Sequence, residues 1–127
     1  MLRAARNTIL SMAVTGMILF CAAAPAAFGA GDKDKTITGE VLDHACYIMH
    51  GAKGKGHADC AKACAKGGQP MGLLADDGKV YLLVAAHDNM KPYEEAKDLA
   101  GALVEVKGEV GQKGELQAIE VHAIKAK

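Results

Sequence analysis

The sequence contains no tryptophan, three tyrosines and two phenylalanines. Phe20, Phe28 and the only arginines, Arg3 and Arg6, all fall within residues 1–29. Beyond them the aromatics are Tyr47, Tyr81 and Tyr93, which leaves little surface for stacking on bases or sugars. A dominant charge is also lacking: 15 Lys+Arg stand against 15 Asp+Glu in 127 residues. Without the two arginines the acids are in excess by two. Nucleic acid requires a basic face, so it is not an expected partner. After residue 29 no apolar run is long enough to cross a bilayer as a helix, so the remaining chain is not expected to span a membrane. There is no Ser-His-Asp set, nucleophile elbow, phosphate-cradling loop or pair of catalytic carboxylates. The Cys-x-x-Cys of a thiol reductase and the Cys-x-x-Cys-His of haem attachment are missing as well. The chain therefore reads as a protein without an enzymatic constellation.

What is there begins with a leader. Arg3 and Arg6 precede an apolar stretch over 9–20, and alanine-rich sequence follows to Gly29. This is the pattern of a secretory signal peptide over 1–29, too short for a transmembrane helix. Cleavage near Ala27-Phe28-Gly29 would leave about 98 residues, 30–127, as a single exported domain, periplasmic or secreted. Phe20 stands where a lipoprotein signal wants a small residue, so Cys21 reads as a residue lost with the leader.

The remaining chain alternates in a way that predicts five strands. Residues 36–41 alternate polar and apolar, as does 103–110, with Val104, Val106 and Val110 on one face. Residues 71–74 and 80–85 are apolar strands joined by an Asp76-Asp77-Gly78 turn. Residues 116–124 form the last strand, with one irregularity, because the apolar positions change phase. Residues 92–99 read as a short helix opened by Pro92, with Glu94 and Glu95 near its positive end. Between the first two strands lies an insert over 43–70, rich in Gly, Ala, Lys, His and Cys. Its part 57–66 suits a helix ended by Gly67-Gly68. The expected fold is mainly β: a five-stranded, OB-fold-like barrel with a helix between strands 3 and 4 and a partly helical, Cys-rich insert between strands 1 and 2.

Gly39-Glu40-Val41, the Asp76-Asp77-Gly78-Lys79-Val80 hairpin and the run Leu99-Ala100-Gly101-Ala102-Leu103-Val104-Glu105-Val106-Lys107-Gly108-Glu109-Val110 resemble the small periplasmic bacterial OB-fold proteins. That family typically shows a G-x-V first strand and an L-x-G-x-x-V-x-V-x-G fourth strand. The resemblance covers about two thirds of the exported domain and implies a fold and a compartment. The insert has no counterpart in the simple members, so the resemblance implies no ligand site.

The insert carries the chemistry. On a helix, His57, Cys60 and Cys64 fall within an arc of about 60°. Thiolates and an imidazole on one stripe suit a thiophilic ion. Cys46, across a glycine-rich loop, can fold back as a fourth ligand. A Cys3His set of Cys46, His57, Cys60 and Cys64 suits zinc in a closed tetrahedral site, and fewer engaged ligands suit copper(I). His44 and His50 are reserve ligands. The competing reading is a disulfide from Cys46 to Cys60 or Cys64, which closes a loop worth roughly 3 kcal/mol and leaves one thiol free. In that case the protein is a stapled, non-enzymatic module that binds a ligand or a protein. Elsewhere Met71 reads as core, Met49 and Met90 as auxiliary ligands at most, and His87 and His122 as ordinary loop and outer-face residues. Lys53 and Lys55 read as a solvated loop or, alternatively, as anion holders near the site.

Overall fold

A computed structural model describes residues 33–127, which belong to one compact unit. The expected leader, its cleavage site and Cys21 lie outside the described residues. Along the described residues run β1 (Asp34–Asp43), α1 (His44–His50), a single 3-10 turn (Lys55–His57), α2 (Ala58–Lys66), β2 (Met71–Ala75), β3 (Val80–Ala85), α3 (Lys91–Asp98), β4 (Leu103–Lys113) and β5 (Leu116–Ala126). The strands close into a barrel in the order β1-β2-β3-β5-β4, with β4 returning to β1. All pairs are antiparallel except β3 with β5. A mainly β fold of five strands closed into a barrel is thus present. The α3 helix lies between β3 and β4, and the helical insert lies between β1 and β2.

Alternation of side chains across each strand fills the barrel from one face. Val41, Leu73, Leu83, Val104, Val106, Ile119 and Val121 point into it and are nearly or fully buried. Met71, expected in the core, is fully buried. Helix α2 adds Ala61 and Ala65, four residues apart on one face, and α3 adds Ala96. Small side chains let these helices lie close to the barrel.

Two glycines of the sequence motifs have a steric reason. Gly39 sits between β2 and β4, paired with Ala75 and Val104. A Cβ there would collide with the backbone oxygen of Leu74. Gly108 lies where β4 and β5 lose step: Lys107 faces Ala123, but Gly108 faces Val121, so His122 has no opposite residue. This bulge is the irregularity expected in the last strand. It carries the Glu120 backbone oxygen into the place a Gly108 Cβ would occupy.

At the C-terminal end of β1, alternation fails: Val41, Leu42 and Asp43 are all buried. A strand buries successive residues when both its faces are covered. The insert begins at this point. The His44 N–H donates to the Pro70 carbonyl at 3.0 Å, which ties the two ends of the insert together.

Candidate metal centre

Helix α1 was not apparent in the sequence, yet both of its ends are capped. Asp43 has extended backbone, and its Oδ1 accepts hydrogen bonds from the N–H groups of Ala45 (3.0 Å) and Cys46 (3.3 Å). Gly51 closes the helix in the left-handed conformation, φ 67°. Cys46 therefore stands in the first turn of α1, above the capping carboxylate. The chain then crosses Gly54, whose N–H donates to Glu40 Oε1 on β1. It enters α2 through the 3-10 turn, so that His57 precedes the helix instead of opening it. Cys60 and Cys64 follow on successive turns of α2, beside the buried Ala61 and Ala65.

This path brings the candidate ligands together as two triads. The ligand atoms of Cys46, His57 and Cys60 lie within 4.8 Å of one another, and so do those of Asp43, Cys46 and Cys64. Cys46 belongs to both. Donors about 2.3 Å from a tetrahedral ion are roughly 3.8 Å apart, so each triad is close to coordinating distance. The four residues expected from the sequence do not form one set at that distance: Cys64 joins Cys46 through the Asp43 side of the cluster. His44 and His50 belong to neither triad. His44 leans on β2 instead, where a Cβ on Gly72 would lie 2.8 Å from its Nδ1. Cys46, Cys60 and Cys64 are all free thiols, with no disulfide among them.

One residue of each triad carries a buried polar atom without a hydrogen-bond partner, His57 Nε2 in the first and Asp43 Oδ2 in the second; His44 Nδ1, outside both triads, is another such atom among the described residues. Asp43 itself is 1% exposed. Buried polar atoms normally find partners, so two orphans in one cluster are a feature to explain.

The electrostatics centre on Asp43. Burial pulls its pKa upward, but contacts with the Cys46 and Cys64 thiols, together with the Cys46 and Ala45 N–H groups, outweigh that and hold it below the usual carboxylate value. The thiols lie within reach of the carboxylate without giving Oδ2 a well-directed hydrogen bond. Conversely, the Asp43 carboxylate, and then burial, raise the Cys46 thiol. The same two causes, joined by the neighbouring Cys60, push the Cys64 thiol up to about 12. A metal-free cluster is therefore an ionised carboxylate facing protonated thiols. A thiophilic cation held there would displace those protons, with thiolates as its ligands.

Sequence reasoning missed Asp43 as a site residue. The available signal was its position, three residues before Cys46 at the junction of a strand and a Gly-terminated segment, which marks a helix cap. A cleft of about 580 Å³ opens beside the insert, lined in part by Glu40, Lys55, Ala58, Lys62 and Lys127. None of the triad residues lines it. The candidate ligand cluster is thus separate from that cleft. Comparison with protein-family models and with curated proteins finds no match for the chain.

Proposed function

We propose that this protein is an exported, non-enzymatic OB-fold protein that binds a thiophilic metal ion, zinc or copper, in its Cys/His insert. The observation that carries the reading is the convergence of the ligand atoms of Cys46, His57 and Cys60 within 4.8 Å of one another, with His57 Nε2 buried and unpartnered. Soft thiolates with one imidazole prefer such ions over hard cations. The barrel order and the helix between β3 and β4 support the OB assignment. The basic leader followed by an apolar stretch supports export to the periplasm or beyond. The ion ties α1 to α2, as a structural clasp or as handled cargo.

Elemental analysis of protein purified from the exported fraction tests this. Bound zinc or copper, reduced in stoichiometry or affinity in His57→Ala, is the expected result. The competing stapled module predicts no metal, a silent His57→Ala, and one titratable thiol before reduction against three after. That outcome would overturn the metal reading.

A further inference from the structure

The geometry points to a second ion position in the same cluster: Asp43, Cys46 and Cys64 hold one divalent ion of the zinc class, Cys46, His57 and Cys60 hold another, and the Cys46 sulfur bridges them. This rests on the metal-binding reading above and goes beyond it in number and kind of ion.

Three observations carry it. The ligands divide into two groups of mutually close donors that have only Cys46 in common. A thiolate has more than one lone pair, so a shared sulfur can serve two ions at once. Each group also holds its own orphaned buried atom, His57 Nε2 on one side and Asp43 Oδ2 on the other. A single ion among Cys46, His57, Cys60 and Cys64 leaves the Asp43 orphan in place. Two ions engage both orphans. The third observation is burial. Asp43 is 1% exposed, and a buried carboxylate is costly unless it is paired or coordinates a cation, which an ion in the second triad provides. The carboxylate selects the kind of ion. Oxygen donors suit zinc-class divalent ions and are poor ligands for copper(I). On binding, each thiol releases its proton to solvent, the sulfur lone pair forms the bond to the ion, and no oxidation occurs.

The test is zinc stoichiometry of the full exported protein, measured anaerobically by native mass spectrometry against a weak competing chelator, so that exposed histidines do not count. Wild type should hold two equivalents. Asp43→Asn keeps the capping oxygen of α1 but removes the charge, and should hold one. Cys64→Ser and His57→Ala should each hold one as well. Cadmium-113 NMR of the wild-type protein is independent of any variant's folding. Two resonances, coupled through the shared sulfur, are expected. A wild type saturating at one zinc with a single cadmium resonance would overturn the second position and leave the proposed function intact. So would two equivalents that persist in both Asp43→Asn and Cys64→Ser. A wild type that binds neither zinc nor copper would overturn the proposed function itself.

Discussion

Gly101 presses on Ala58: a Cβ added to Gly101 would lie 2.5 Å from the Ala58 Cα, and Gly101 has φ +79°. The turn that leads into β4 therefore touches the first residue of α2, one position after His57. The same glycine donates its N–H to the Val41 carbonyl at 2.7 Å. This close contact, with the buried Ala61 and Ala65, seats α2 against the barrel. Gly101→Val should push α2 outward and cost roughly 1–3 kcal/mol, from backbone strain and overpacking together. Gly78→Ala is the control, because φ is +85° there but nothing lies within 4 Å. It should cost about 1 kcal/mol. Denaturant unfolding compares the two, and metal affinity should fall only for Gly101→Val.

Strand phase in β4 makes the second prediction. Val104 is fully buried, and Val104→Asp places an unpaired charge in the barrel, which should prevent folding. Glu105 faces the other way and meets Lys125 at 2.9 Å on the partly exposed outer surface. Glu105→Lys should cost no more than about 1 kcal/mol. Equal shifts in thermal melts would contradict the phase.

His122 predicts a pH dependence. Its side chain sits in the bulge between two carboxylates, with Nδ1 2.8 Å from Asp34 and Nε2 3.0 Å from Glu120. Glu120, and after it Asp34, raise its pKa against the opposing effect of burial. The folded state therefore favours the protonated ring. That contribution is fully present below the unfolded value and is lost as pH rises through the higher folded value. Melting temperature should fall across that window in wild type, and His122→Gln should flatten the change. An unchanged slope in the variant would count against this pairing.

Metal affinity should rise with pH. Cys46 is raised and Cys64 is pushed up to about 12, so both are protonated at neutral pH and protons compete with the ion. Between about pH 6 and about pH 8 the apparent affinity should climb by up to roughly tenfold per unit for each proton displaced. Competition titrations at the two ends read this directly. A flat profile would mean that the thiols are not ligands.

Removal of the ion should loosen the insert alone. Helix α1 contributes no buried residue and α2 contributes only Ala61 and Ala65. The barrel strands carry most of the core. After chelation, amide exchange should speed up over 44–66, while Val104, Val106, Ile119 and Val121 keep their protection. Uniform acceleration would show that the barrel depends on the metal.

Much of the barrel was legible because its pattern is local. Val80–Ala85 matches the expected strand end to end, the Asp76-Asp77-Gly78 turn falls where turn chemistry puts it, and the helix expected over 92–99 is Lys91–Asp98, with Pro92 in its first turn. The phase change in the last strand marked the bulge, and pairing with β4 locates it at His122. The insert was harder to read. His44–His50 is apolar in an unbroken run over 45–49 and buries none of it, so periodicity is silent, and only its caps mark it. The helical stripe through His57, Cys60 and Cys64 described one element, but the site is assembled from two. Spacing along α2 cannot reveal that Cys46 divides its neighbours between two triads. Asp43 looked like the end of a strand, and its second role depends on burial that arises only when the insert folds back.

The insert also has the form of a cassette. Asp43, its first residue, and Met71, which follows its last, are direct partners in the antiparallel pairing of β1 and β2. Its two ends therefore meet where an ordinary two-residue hairpin loop would start and finish. Closing a longer excursion at such a point adds only a logarithmic entropy cost, about 0.6 kcal/mol per doubling of length. Excision need not break a strand, and grafting need not create one. A hairpin that offers the same pair of neighbouring backbone ends, with a carboxylate as its last strand residue, presents the same point of attachment, and the seat for Ala61 and Ala65 has to come with it.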